Sequence, residues 1–152
     1  MIPNFVVTPY VGVGPIRLGM TGAQLHALLG PPNSSRRSRF GPKLIEHWRQ
    51  EDLTVVLSGP QGGAAEISFG SHQAGAEVHN VPLFSRSGPD TYRDLCRLDG
   101  APREDVGMTV LFRLGITLDG FLATDQDQRV VTVFAAGTWD EGDPRLTPVA
   151  PA

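Results

Sequence analysis

Gly19-Met20-Thr21-Gly22-Ala23-Gln24-Leu25-His26-Ala27-Leu28-Leu29-Gly30-Pro31-Pro32 reads as a short helix with both ends written into its residues. Thr21 stands at the N-cap, and Gln24 three residues later completes a Thr-x-x-Gln capping box. Met20 before the cap and Leu25 in the first full turn can close a hydrophobic staple. Leu25, Leu28 and Leu29 fall on one face and predict a stripe for burial. Gly30 suits the left-handed position after the last turn, and Pro31-Pro32 forbid continuation. A helix of about eight residues is well below the ~12–15 needed for stability in isolation, so this one must dock on a sheet. That requirement points to an α+β fold.

The flanking residues supply the sheet. Residues 2–8 form an opening strand ended by Pro9, and residues 11–18 are a turn-rich approach to the helix. Asn33 to Arg39 is polar and basic, a solvated edge strand or loop in which Arg36, Arg37 and Arg39 could also meet an acidic partner. Strands follow over residues 43–50, with Trp48 as an apolar anchor, over the β-branched run 53–57, and over the alternating run 65–69. Ser71 to Asn80 is a polar connector.

The second half repeats this plan. Thr91 answers Thr21, Leu95 answers Leu25, Leu98 answers Leu28, Gly100 answers Gly30 and Pro102 answers Pro32, all seventy positions on. Apolar runs at residues 110–114, 116–118, 120–124 and 129–137 then succeed one another. The expected architecture is a single α+β domain over 1–152. It consists of two similar helix-plus-antiparallel-meander units, about 10–75 and 80–142, forming a sheet with the helices packed on one face. The other face is left open for a partner, and residues 143–152 make a loose C-terminal tail.

Composition narrows the function. A hydrophobic content of 40% and a charged content of 19% are globular values. The net charge of −3 divides into +2 over residues 1–75 and −5 over residues 76–152. That balance argues against a nucleic-acid partner, which needs a basic face. Cys96 is the single cysteine, so no internal disulfide is possible and a reducing compartment is compatible. No run has the ~18–20 apolar residues of a membrane span, and Met1 to Pro9 lacks signal-peptide character. The expected location is the cytoplasm, with no membrane association.

The run Ile16-Arg17-Leu18-Gly19-Met20-Thr21, continued by Leu25, Leu28-Leu29-Gly30 and Pro31-Pro32, resembles the opening of the SmpA/OmlA (BamE-like) domain. The helix-then-meander unit in tandem resembles the beta-lactamase inhibitor protein architecture, and also small cytoplasmic immunity proteins encoded beside bacterial toxins. The resemblance implies a non-catalytic module that acts by binding another protein. The lipoprotein branch carries a signal peptide and a lipid-acceptor cysteine that the N-terminal residues here do not show.

No catalytic motif competes with that reading. His47 beside Trp48 has no Ser, Cys or acid at triad spacing. His72, Glu77 and His79 match no zinc spacing, so neither metal nor cofactor is expected. Gly12-Val13-Gly14 lacks the third glycine and the strand–helix setting of a phosphate loop. The expected function is therefore non-enzymatic: an immunity protein or inhibitor, monomeric or weakly dimeric, that occludes the active site of a cognate toxin or enzyme. Expected partner-binding residues are the aromatics Trp48 and Trp139 and the acidic Asp119, Asp125, Asp127, Asp140 and Glu141. The alternatives are a small-ligand-binding or hydrolytic protein with a pocket between helices and sheet, lined by His47 or His72, and an envelope-assembly module.

Overall fold

A computed structural model describes residues 1–39, 41–58 and 62–150. Among the described residues two helices and two sheets make the α+β fold. In chain order the elements are β1 (Val6–Thr8), β2 (Gly12–Val13), β3 (Ile16–Arg17), α1 (Gly22–Leu29), β4 (Ser34–Arg37), β5 (Leu44–Trp48), β6 (Leu53–Leu57) and β7 (Ala64–Gly70). They continue with β8 (Glu77–Val78), β9 (Val81–Pro82), α2 (Gly88–Asp99), β10 (Arg103–Asp105), β11 (Met108–Leu111), β12 (Ile116–Asp119), β13 (Val130–Phe134) and β14 (Thr147–Pro148). A turn of 3-10 helix, Gln126–Gln128, precedes β13.

The capping box of α1 forms as its residues predict. Gln24 N–H donates to Thr21 Oγ1 at 3.2 Å, and Thr21 N–H donates to Gln24 Oε1 at 3.0 Å. Gly30 ends the helix with φ 81° and ψ −177°, a positive-φ but extended conformation rather than the left-handed helical one. The leucine stripe is narrower than expected. Leu25 is fully buried, whereas Leu28 is 44% exposed. On α2 the N-cap is Ser87, not Thr91: Ser87 Oγ accepts from Asp90 N–H at 3.2 Å. Ser87-Gly88-Pro89-Asp90 is itself a start signal, with Pro in the first turn and an acid at its end. Thr91 lies inside the helix, buried, with its hydroxyl donating to Ser87 O at 2.9 Å.

The large sheet is antiparallel throughout, in the order β14-β10-β11-β12-β13-β7-β6-β5-β4. Each helix is thus followed by a four-strand meander, and the two meanders meet where β7 pairs with β13. The small sheet, β3-β2-β1-β8-β9, is an addition to the one sheet expected, and only β1 falls within an expected strand, the opening one over residues 2–8. It is mixed, because β1 and β8 run parallel. Its strands are two or three residues long, too short to show a periodicity, and residues 71–80 hide β8 inside an otherwise polar connector.

One face of the large sheet carries the core. Leu53, Val55 and Leu57 of β6, Ile67 and Phe69 of β7, Val131 and Val133 of β13 and Ile116 and Leu118 of β12 are buried. They form one cluster with Leu25 of α1, Leu95 of α2 and Phe5, Val7, Val13, Ile16 and Val78 of the small-sheet layer. Helices and small sheet therefore share a single layer over one face, the arrangement expected of short amphipathic elements. The expected loose tail is anchored as far as it is described. Leu146 is buried against Val110 and Phe134, and Thr147–Pro148 pairs with β10. Residues 151–152 lie outside the described residues.

The tip of the β10–β11 hairpin is strained. Val106 and Gly107 both have positive φ, 45° and 80°, and Val106 is 98% exposed. A β-branched residue is poorly suited to that conformation, which asparagine adopts readily. Val106→Asn is expected to raise stability by about 1 kcal/mol, read as a higher urea midpoint at unchanged m. An unchanged midpoint would contradict the assigned turn.

Candidate functional site

Strand register places a continuous lateral row on the face of the large sheet opposite the helices. Ser34 of β4 pairs with His47, His47 with Thr54, Thr54 with Ser68, Ser68 with Thr132, Thr132 with Thr117 and Thr117 with Val110. Paired residues of adjacent strands share a face, and strand alternation sets this row opposite buried Leu53, Val55, Ile67, Val131 and Val133. His47 Nδ1 hydrogen bonds to Thr54 Oγ1 at 2.9 Å, and Ser68 Oγ to Thr132 Oγ1 at 2.8 Å. The second contact ties the two meanders together at their seam. A neighbouring row runs Arg36, Ile45, Val56 and Glu66, two apolar side chains between opposite charges.

The two meanders differ in how this face is covered. Over the second, Leu146 packs on Val110, with Trp139 and Phe112 against the same cluster. Over the first, Ile45, His47, Thr54, Val56, Glu66 and Ser68 remain half-exposed, and Arg36 is exposed. The result is a polar surface with an apolar centre and a charge at each side.

The residues expected to bind a partner are scattered. Trp48 is 2% exposed and points into the core, where its Nε1–H donates to Gly30 O at 3.0 Å. It has no surface to offer. Asp119 ends β12, and Asp125 and Asp127 lie in the β12–β13 connection, so all three are exposed at one end of the sheet. Asp125 caps the 3-10 turn by accepting from Asp127 N–H at 3.0 Å. Trp139, Asp140 and Glu141 follow the other end of β13. Trp139 is half-buried against the small core cluster, while Asp140 and Glu141 are exposed. The acidic residues thus make two groups separated by the length of β13.

The groups with other chemistry have structural partners. Asp99 is buried and its Oδ1 accepts from Arg113 N–H at 2.9 Å and Leu114 N–H at 3.1 Å, holding the β11–β12 turn. Glu46 is buried on the helix side of β5 and meets His26 Nε2 at 2.8 Å. Among the described residues no group of three or more His, Cys, Asp or Glu is placed to hold a metal ion. Open hollows of about 720, 250 and 650 Å³ lie on the surface, and among the described residues lining them are neither His47 nor His72. Among the described residues no helix is long and apolar enough to cross a membrane.

Cys96 lies half-buried on α2. Burial pushes its thiol up to about 11 from an ordinary 9.0, with a Tyr92 hydrogen bond opposing and Asp99 and Glu104 adding to the rise. The raised value means that the folded state keeps its proton where the unfolded chain loses it. This contribution to stability is complete below about pH 9 and is lost as pH rises towards 11. Alkylation at pH 8 is expected to be roughly a hundredfold slower in the folded than in the urea-unfolded chain. Equal rates by mass spectrometry would show that the thiol is not protected.

No protein-family model, curated protein or solved structure matches this chain.

Proposed function

We propose that the chain acts by stoichiometric binding of another protein, as an immunity protein or inhibitor in the cytoplasm, and performs no chemistry of its own. The observation that carries this reading is the half-exposed face of the first meander, which no other element covers among the described residues. Half-exposed Ile45 and Val56 lie there between Arg36 and Glu66, beside a hydroxyl row cross-linked by hydrogen bonds. A rigid sheet presenting a small apolar centre with a polar surround suits a protein interface, because little side-chain entropy is lost on docking. The two acidic groups at the ends of β13 would accelerate encounter with a basic partner and help fix its orientation. A toxin or enzyme held against this face would have its active site occluded.

The element order supports a duplicated scaffold beneath this face. Hairpin β2–β3, helix α1 and meander β4–β7 are followed by hairpin β8–β9, helix α2 and meander β10–β13. The hairpins close on Val13 with Ile16 and on Val78 with Val81, equally spaced pairs. We read the two as copies of one hairpin–helix–meander unit, of which the second has lost its free face to the C-terminal segment. This is also the feature that sustains the resemblance to tandem BamE-like and beta-lactamase-inhibitor-like units.

The test is capture of a partner from the native host by the tagged chain, together with rescue of cells expressing that partner. Ile45→Glu with Val56→Lys is expected to abolish both capture and rescue while leaving the thermal transition of the chain within a few degrees. Failure of the native chain to retain any stable partner or to rescue, or retention of both by the double variant, would refute the assignment.

A further inference from the structure

The two edges of the large sheet are unlike. One ends in β14, only Thr147–Pro148, where Pro148 has no N–H to offer a neighbour. The other is β4, Ser34-Ser35-Arg36-Arg37, with all four residues exposed. Ser38 N–H donates to Lys43 O at 2.7 Å, and Ser38 and Lys43 continue the register that pairs Arg36 with Ile45 and Ser34 with His47. Main-chain groups alternate in direction along an antiparallel strand. Those of Ser34 and Arg36 therefore turn towards β5, and the N–H and C=O of Ser35 and Arg37 face outward.

The side chains alternate as well. Arg36 lies on the uncovered face with Ile45 and His47, and Arg37 lies on the helix side, paired with Leu44 beside Glu46. None of the ion pairs among the described residues includes either arginine. A strand added along this edge would meet one guanidinium on each of its faces. Successive residues of a strand point to opposite faces, so the complementary sequence carries two adjacent carboxylates. A second copy of this chain is a poor occupant, because pairing β4 with itself crowds four guanidinium groups onto one ribbon.

We propose that β4 is a docking edge to which a partner protein adds an extended acidic segment as a further strand. The outward main-chain groups of Ser35 and Arg37 hold its backbone, and Arg36 and Arg37 pair with consecutive Asp or Glu residues of that segment. The edge shares Arg36 with the sheet face assigned above, but strand addition also uses Arg37 and the outward main chain and does not depend on that reading.

The experiment is a fluorescence-anisotropy titration of the full chain against a labelled eight-residue peptide with a central Glu-Glu pair flanked by Thr and Val. Saturable binding is expected, with none for the Lys-Lys counterpart. The exposed-edge variant R36E/R37E should bind at least about tenfold more weakly. N-methylating the peptide at the alternate residues that face β4 should abolish binding while leaving its charge intact. Ser35→Pro, which removes one outward N–H and keeps the β4–β5 ladder, should do the same. Absence of binding, or weakening by R36E/R37E without any effect of N-methylation, would overturn strand addition. So would tighter binding of a single-stranded oligonucleotide than of the Glu-Glu peptide, or dimerisation of the chain through β4.

Discussion

Replacing Arg129 with alanine is expected to cost about 3–5 kcal/mol of stability. Arg129 is 6% exposed, and no carboxylate forms an ion pair with it among the described residues. Its guanidinium is held by main-chain carbonyls. Nη1 donates to Leu83 O at 3.2 Å and Arg86 O at 3.0 Å, Nη2 to Phe84 O at 2.9 Å, and Nε to Gln126 O at 3.1 Å. The same group lies over the rings of Phe84 and Phe121, with its carbon 5.7 and 5.6 Å from their centroids. Burial pulls its pKa below the ordinary arginine value, with Asp127 partly opposing.

That arrangement fastens the segment entering α2 to the connection before β13. Gln126 completes the joint by accepting from Gly88 N–H at 2.6 Å and donating to Ala123 O at 2.7 Å. Gly88 cannot carry a Cβ there without meeting Phe121 O. Alanine at 129 orphans several carbonyls at once, each costing about 1–3 kcal/mol when left buried and unmet. Arg129→Met restores volume but no donors, so it should recover only a small part of the loss. Arg129→Lys should fall between, since one ammonium cannot reach both segments. Urea denaturation measures all three, and an alanine variant within 1 kcal/mol of the parent would overturn the structural role.

Trp48→Ala is expected to destabilise by about 3–5 kcal/mol, with no selective effect on partner association. The indole fills the core beneath α1, and its N–H satisfies the carbonyl of Gly30 at the helix end. Trp48→Phe keeps most of the apolar contact and loses that bond, so about 1–2 kcal/mol is expected. A surface anchor would behave oppositely, leaving the urea midpoint unchanged and weakening capture of a partner. The midpoint alone therefore decides between the two roles.

Trp48 also marks where sequence reasoning stops. A strand of alternating residues announces that it has two faces, but which face the helices cover depends on register and on how the layers stack. Residues 44–48 read Leu-Ile-Glu-His-Trp, apolar enough on either face for both readings. The structure buries Glu46 and Trp48 and leaves Ile45 and His47 outward. Val56 is illegible for the same reason, because the run Leu-Thr-Val-Val-Leu looks wholly internal until its pairing is known. Leu28 was expected inside on helical periodicity, yet α1 is only eight residues long and buries Leu25 alone. Asp119, Asp125 and Asp127 and the pair Asp140 and Glu141 follow one another closely along the chain and are parted by a strand in space.

Local chemistry is what the residues settled unaided. The capping box of Thr21 and Gln24, the stop at Gly30, the β6 and β7 strands and the Arg36–Arg37 stretch as an edge strand or loop all follow from interactions within a few positions. Only the folded chain decided the rest. It brought β1 beside β8, joined β7 to β13, drew Leu146 over Val110 and left the outward residues of the first meander half-exposed. Those outcomes depend on contacts between residues distant in the chain, and burial is a property of the whole packing that no single segment carries.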